Sequence, residues 1–236
     1  MAEKYLIKGF VPNSLVDWDG KVSSVIFLPG CNFKCKYCHN KQLVERYDKL
    51  EDVSFKEIKE YLVKNQDFVD GVVITGGEPC MYSWINELCK EIKSLDFQIK
   101  LETNGSFPEK LLELVKLKLV DFVAMDIKTS FGNYESITQS PVDIIKIQQS
   151  ISILKDFGNY EFRITMFPEI SRENLIELVN YLKENQATQA LFLQQFRAEN
   201  CLDEKANSVK PYSKEELQAF LELVKPDFSK SGLRNM

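Results

Sequence analysis

Three thiols fall within eight residues, Cys31-Asn-Phe-Lys-Cys35-Lys-Tyr-Cys38, with the spacing C-x3-C-x2-C. The next cysteine is Cys80, far along the chain. Closely spaced cysteines in a reducing compartment act as metal ligands rather than as disulfides. A [4Fe–4S] cluster is ordinarily held by four thiolates. Three thiolates leave one iron open to a ligand that is not protein, which is a feature of catalysts rather than of electron carriers. The competing reading is a zinc knuckle with His39 as fourth ligand. Adjacent Cys38 and His39 are poorly placed to reach one tetrahedral ion, and structural zinc sites pair two separated ligand groups. As the sole histidine, His39 is read as making a local hydrogen bond, and Asn40 is read in the same way. Cys89 shares a helical face with Trp84, Ile85, Leu88 and Ile92 and is expected in the core. Cys80 is expected to pack beside the glycine motif that precedes it, and Cys201 to sit in a polar loop.

Further polar motifs recur at one kind of place. Six apolar, β-branched runs read as buried strands: Val22–Leu28, Gly71–Thr75, Phe97–Glu102, Asp121–Ile127, Tyr160–Phe167 and Gln189–Gln195. Cys31 follows the first, Gly76-Gly77-Glu78-Pro79 the second, Thr103-Asn104-Gly105 the third, and Lys128-Thr129 the fourth. Parallel α/β folds build their sites at the carboxyl ends of strands, so these motifs are expected to converge. Glycine permits close approach of backbone to a ligand, and Glu78 is suited to pair with an ammonium group. Asp126 and Lys128 share a face at a strand end. Their alternatives are a ligand role and a surface ion pair. Arg163 interrupts an apolar strand and needs an anionic partner, either a ligand or a structural carboxylate.

Helices are expected between the strands. Ser54-Phe-Lys-Glu57, Ser106-Phe-Pro-Glu109 and Ser213-Lys-Glu-Glu216 read as capping boxes, the first with a staple from Val53 to Ile58. Ser140-Pro141 places proline at a first helical position, and the helix that follows carries Ile144, Ile147, Ile151 and Leu154 on one face. Strand–helix alternation repeated about six times predicts an α/β fold, a parallel sheet with helices outside. An open doubly wound sheet and a curled partial barrel both satisfy that pattern.

The chain has 236 residues and a net charge of −5, with 44% hydrophobic and 28% charged residues. That suits a globular protein with one sizeable core. No basic block marks a nucleic-acid partner. No apolar run approaches the roughly 20 residues needed to span a bilayer, and the start of the sequence lacks a signal-peptide pattern. A cytoplasmic protein with no membrane partner is therefore expected.

Taken together, the motifs resemble the radical S-adenosylmethionine (SAM) superfamily. Its signature is C-x3-C-x2-C after the first strand, with an aromatic residue, here Tyr37, before the last cysteine. Ser14-Leu-Val-Asp17-Trp-Asp-Gly20-Lys, Gly30-Cys-Asn-Phe, Cys38-His-Asn40, Thr103-Asn-Gly, Ala124-Met-Asp-Ile-Lys128, Glu161-Phe-Arg163 and Leu193-Gln-Gln-Phe196 follow in order. That series resembles the activating proteins of glycyl-radical enzymes, above all the anaerobic ribonucleoside-triphosphate reductase activating type. The resemblance implies a partial (β/α)6 TIM-like barrel in one domain, 1–236. An N-terminal extension would take 1–21, the barrel core 22–196, and a C-terminal loop and helix 197–236.

The resemblance further implies that Cys31, Cys35 and Cys38 hold a [4Fe–4S] cluster. It implies SAM bound by Tyr37, Gly76, Gly77, Glu78, Pro79, Glu102, Thr103, Asn104, Asp126, Lys128 and Arg163, with Glu78 at the SAM amino group. Asp126 and Lys128 would contact the ribose or carboxylate. Glu102 stands where relatives often carry aspartate, which in some of them helps bind a monovalent cation beside SAM. Asp19 stands where proline is usual.

The implied reaction is reductive cleavage of SAM to a 5′-deoxyadenosyl radical, which abstracts hydrogen from a glycine of a glycyl-radical enzyme. The electron would come from a donor such as flavodoxin or ferredoxin, under anaerobic conditions. The alternatives are a radical SAM enzyme acting on a small molecule, like 7-carboxy-7-deazaguanine synthase, and a non-catalytic iron–sulfur or zinc module.

Overall fold

In a computed structural model that describes residues 4–235, eight strands hydrogen-bond in the order in which the chain makes them. They are β1 (Gly9–Ser14), β2 (Ser23–Leu28), β3 (Gly71–Gly76), β4 (Gln98–Thr103), β5 (Phe122–Asp126), β6 (Tyr160–Met166), β7 (Ala190–Gln195) and β8 (Lys230–Arg234). The six strands expected from apolar runs are β2 to β7, each displaced by no more than a residue or so at its ends. β2 runs parallel to β3, and β3 to β4; β6 runs parallel to β7, and β7 to β8. Helices intervene: α1 (Lys41–Glu45), α2 (Phe55–Lys64), α3 (Ile85–Lys93), α4 (Pro108–Lys116), α5 (Tyr134–Thr138), α6 (Ile144–Phe157), α7 (Arg172–Glu184) and α8 (Lys214–Val224).

The chain divides into two compact units. The first holds the chain up to Asn32, Gln42–Thr103 and Glu109–Val123; the second holds Phe33–Lys41, Asn104–Pro108 and the chain from Ala124 onward. In the first unit, Val72, Val73 and Ile74 of β3 are fully buried, as a strand covered on both faces requires. Burying each such side chain contributes about 1.5–3 kcal/mol. Trp18 packs with Val25 and Val73, and with the partly buried Phe27 and Phe122. α3 turns Ile85, Leu88, Cys89 and Ile92 inward, so Cys89 is a core residue as its helical spacing suggested. In the second unit, α6 buries Ile147, Ser150, Ile151 and Leu154.

Two strands lie outside the six. β1 pairs antiparallel with β2, through Gly9 opposite Phe27 and Val11 opposite Val25. β8 is Lys-Ser-Gly-Leu-Arg, with one large apolar residue and no alternation to betray it. Parallel pairing with β7, Ala190 opposite Lys230 through Gln194 opposite Arg234, and two side-chain contacts hold it. Arg234 makes a two-pronged ion pair with the buried Glu161 of β6, at 2.6 and 2.9 Å. Its guanidinium also lies 3.8 Å from the centre of the Phe192 ring of β7.

The helix starts follow the sequence in part. Ser213 and Glu216 form the expected capping box at α8. Ser54 is the N-cap of α2, but its side chain makes no capping bond. Ser106 does not cap α4, which begins at Pro108. Its N–H and hydroxyl both donate instead to Asn104 Oδ1 (2.9 and 2.5 Å), a local alternative that short polar side chains offer the backbone. α6 begins at Ile144 behind Asp143, whose carboxylate accepts from the Ile145 N–H, so Pro141 precedes the helix rather than opening it. A box absent from the expectations caps α7, between Ser171 and Asn174.

Ser213→Ala is expected to cost about 1 kcal/mol in urea denaturation, because a side-chain cap is lost. Ser54→Ala is expected to change stability by far less. Equal losses in the two variants would contradict this account of the caps.

Candidate functional site

In the first unit the loops after β2 and β3 are zipped together. The Gly77 N–H donates to the Leu28 carbonyl (2.8 Å), and the Glu78 N–H to the Gly30 carbonyl (2.9 Å). The Gly30 N–H donates to the Leu43 carbonyl (2.7 Å), and the Tyr82 hydroxyl to the Pro29 carbonyl (2.6 Å). No side chain fits between these loops: a Cβ on Gly77 would stand 1.6 Å from the Gly30 oxygen. Gly76, at φ +118°, would bring a Cβ to 2.2 Å from the Leu28 oxygen. The zip therefore fixes the residue before Cys31 against the residue before Glu78.

Glu78 is fully buried. Its Oε1 accepts from the Thr103 hydroxyl at 2.7 Å and from the Cys80 N–H at 2.9 Å. Pro79 opens a short 3-10 turn, Pro79–Met81, and is itself buried. Thr103 thus meets Glu78 as the order of the motifs suggested. Glu102 turns to a different partner, accepting from the Thr75 hydroxyl at 2.8 Å. Its Oε1 lies 3.8 Å from the ammonium of Lys100, a buried lysine that donates to the Asp17 carbonyl at 2.8 Å. Cys80 is buried, and desolvation pushes its thiol well above the ordinary range, with Glu78 acting in the same direction.

In the second unit the rest of the cysteine run is held by its neighbours. The Lys34 and Lys36 N–H groups donate to the Thr138 and Ile137 carbonyls of α5 (2.9 and 3.1 Å). The Cys38 N–H closes a turn onto the Cys35 carbonyl at 3.0 Å. From after β7, the Leu202 and Asp203 N–H groups donate to the Cys38 and Lys36 carbonyls (3.0 and 3.1 Å). His39 is exposed, and its Nε2 hydrogen-bonds the Arg197 carbonyl at 2.9 Å, the local role its sequence context favoured. Cys201 belongs to the same clasp. It is buried rather than displayed in a polar loop, with its Sγ 3.5 Å from the Arg197 oxygen. The polar sequence around it hides this burial.

Tyr37 packs its ring on Phe167 (5.6 Å between centroids), and Phe167 meets Phe196 edge-on. The Tyr37 hydroxyl is buried without a hydrogen-bond partner, and so is that of Thr129. Burial pushes the Cys35 thiol up to about 11 against the opposing pull of Lys128, and burial raises Cys38 as well. A thiol must lose its proton to bind a metal, so burial alone works against that state.

Asp126 is the hinge of the charges here. Its Oδ1 accepts from Arg163 Nε (2.8 Å) and its Oδ2 from Lys128 Nζ (3.1 Å). Burial works to raise the Asp126 pKa, but Arg163 and Lys128 outweigh it and hold the carboxyl at about 2. Lys128 is opposed by its own desolvation and kept charged chiefly by Asp126, so its pKa lies well above the ordinary value. Arg163 therefore has a structural carboxylate, one of the two partners expected for it. The Lys128 N–H donates to the Tyr134 hydroxyl at 3.2 Å, a support that no motif announced. Asn104, the remaining candidate, is buried and accepts from Ser106. Among the described residues, no three His, Cys, Asp or Glu side chains converge on a single metal ion. Ligands to separate irons of a cluster need not converge in that way.

Residues 25–182 match the radical SAM superfamily. The chain belongs to that superfamily and is a radical SAM enzyme. It is 32% identical over 231 residues to a Methanocaldococcus jannaschii protein provisionally named a glycyl-radical enzyme activating enzyme, covering 94% of this chain and 92% of that one. It is 28% identical over 184 residues to the 7-carboxy-7-deazaguanine synthase of Clostridium acetobutylicum, covering 70% and 81%. Among solved structures, SuiB of Streptococcus suis bound to S-adenosylmethionine superposes with a TM-score of 0.63 at 19% identity, covering 89% of this chain. The chain spans about half the length of SuiB, 48%, and the likeness is one of fold: a mostly parallel sheet with outer helices. Membership implies a [4Fe–4S] cluster and SAM as cofactors. No helix among the described residues is long and apolar enough to cross a membrane.

Two outcomes follow from this geometry. Gly77→Ala is expected to destabilise the protein by about 1–3 kcal/mol in urea denaturation, because backbone rather than a flexible side chain stands in the way. Asp126→Asn is expected to cost about 1–2 kcal/mol at pH 7, a figure reduced for partial exposure of the carboxylate. The folded-state pKa of Asp126 is depressed, so its contribution is complete above the ordinary carboxylate pKa and is lost as pH falls towards about 2. The stability gap between wild type and Asp126→Asn should therefore narrow below pH 4. A gap independent of pH would contradict the ion-pair account.

Proposed function

We propose that this chain activates a glycyl-radical enzyme, using a [4Fe–4S] cluster held by Cys31, Cys35 and Cys38 and a SAM bound beside it. The observation that carries the reading is the Gly30–Glu78 hydrogen bond, which ties a buried carboxylate to the loop that opens the cysteine run. The residues suit these cofactors. Three thiols outside any disulfide stand in one short segment, a glycine pair leaves no room for side chains, and a tyrosine hydroxyl is buried without a partner.

When bound, the cluster and SAM supply one-electron reduction and a carbon-centred radical that abstracts hydrogen. The protein's own part is to bind, orient and exclude water. Glu78 takes the SAM ammonium. Lys128 and Arg163, already oriented by Asp126, are the cations for the SAM carboxylate. Tyr37 and Pro79 wall the cofactor. Thr103 and Asn104 shape the turn after β4. Glu102 is the residue of this site suited to a monovalent cation.

The protein substrate is supported by the M. jannaschii relative, which the chain matches over nearly the full length of both. A flavodoxin or ferredoxin would deliver the electron. The C. acetobutylicum relative supports the second reading, in which the same chemistry acts on a small molecule.

Anaerobic reconstitution with iron and sulfide, followed by SAM and dithionite, should yield 5′-deoxyadenosine. Cys35→Ala should reduce that yield to background. With a glycyl-radical enzyme from the same cell present, electron paramagnetic resonance should detect a protein radical. Cys35-dependent cleavage without any protein radical would favour the small-molecule reading. Equal product from Cys35→Ala would overturn both.

A further inference from the structure

Glu78 is the one candidate ligand whose carboxylate is fully buried. Its Oε1 takes two hydrogen bonds from neutral donors: the Thr103 hydroxyl, from the last residue of β4, and the Cys80 N–H, from the turn after Pro79. Cys80 and Thr103 are themselves buried. Carboxylate, hydroxyl and the Cys80 N–H thus form one small polar cluster.

Donors that hold a buried carboxylate in one plane prepare it to meet a ligand, because part of its ordering and desolvation cost has already been met during folding.

We propose that Thr103 and Cys80 are positioning residues that act on SAM binding through Glu78. Thr103 stands among the residues expected to contact SAM directly. The geometry gives it a different role, because its hydroxyl is directed at the carboxylate and fixes the plane in which Glu78 meets the ammonium. Cys80 adds the N–H that continues the same anchor around the turn. The inference rests on the assignment of Glu78 to the SAM ammonium.

The test is a double-mutant cycle on SAM affinity, measured by anaerobic calorimetry on protein carrying a full, oxidised cluster. Glu78→Gln should weaken binding by a hundredfold or so, the scale of a lost charged hydrogen bond. Thr103→Val, which removes the hydroxyl and little else, should weaken it about tenfold, and Thr103→Ser should restore most of the loss. Cys80→Ala keeps the N–H and should weaken binding only about twofold.

Thr103→Val in the Glu78→Gln background is the decisive variant. If Thr103 works through Glu78, the double variant binds SAM as Glu78→Gln does. If the two losses add in full, Thr103 touches SAM or another part of the site independently, and the proposal is overturned. Unchanged affinity in Thr103→Val alone also overturns it. Unchanged affinity in Glu78→Gln instead refutes the ammonium assignment, so the two failures are distinguishable. Iron content and thermal midpoint are read for every variant. A merely structural role for Thr103 would lower those two and leave the affinity of the folded fraction intact. Thr103→Ser keeps the question decidable should Thr103→Val fold poorly: a serine variant with normal iron content and tenfold weaker binding would contradict the hydroxyl's role.

Discussion

Two stretches of backbone, Leu28–Gly30 and Gly76–Glu78, approach until the space of a single methyl group no longer exists between them. That contact is a constraint on composition before it is a source of stability, because any residue but glycine at position 77 must push the strand ends apart. Everything at the carboxyl ends of β2 and β3 follows from it. Gly30 gives up its carbonyl to the Glu78 N–H, so the cysteine run starts from a fixed point. Glu78 is drawn beneath the surface, where it needs donors and finds them in Thr103 and Cys80. Parallel strands make such a meeting natural, since their ends lie side by side and their loops compete for the same volume.

The charges of the second unit obey a related logic. Asp126 divides its two oxygens between Arg163 and Lys128, from β6 and from the segment just beyond β5. A lone buried lysine or arginine would carry a large desolvation cost, and sharing one carboxylate offsets part of it for both. Burial raises the Cys35 and Cys38 thiols, with Asp126 acting in the same direction and Lys128 against it.

Strand identity was legible in the sequence because buried strands are short and rich in apolar residues, continuous in β3 (Gly-Val-Val-Ile-Thr-Gly) and alternating in β4 (Gln-Ile-Lys-Leu-Glu-Thr). β8 was not, because backbone pairing with β7, a salt bridge and a ring contact, all to residues far away in sequence, hold Lys230–Arg234 in place. The candidate site was legible wherever chemistry demands a residue type: thiols, a glycine pair, a carboxylate. Its supports were not. The Tyr134 hydroxyl beneath Lys128 and the 197–203 segment on the cysteine loop are pairings that no motif marks. The expected cap at Ser106 failed for a local reason, whereas the one at Ser213 formed. Ser106 satisfies Asn104 instead of a helix end, and no residue pattern distinguishes the two uses of a serine.

Strand order in the sheet equals the order of synthesis, and this sets a schedule on the ribosome. Each new strand finds its neighbour already made, so the sheet can lengthen at one margin as translation proceeds. The ion pair between Glu161 and Arg234 closes late. The arginine is made 73 residues after the glutamate, an interval of roughly 4–15 s at ordinary elongation rates, so this link between β6 and β8 is completed only after β1 to β7 have all been made.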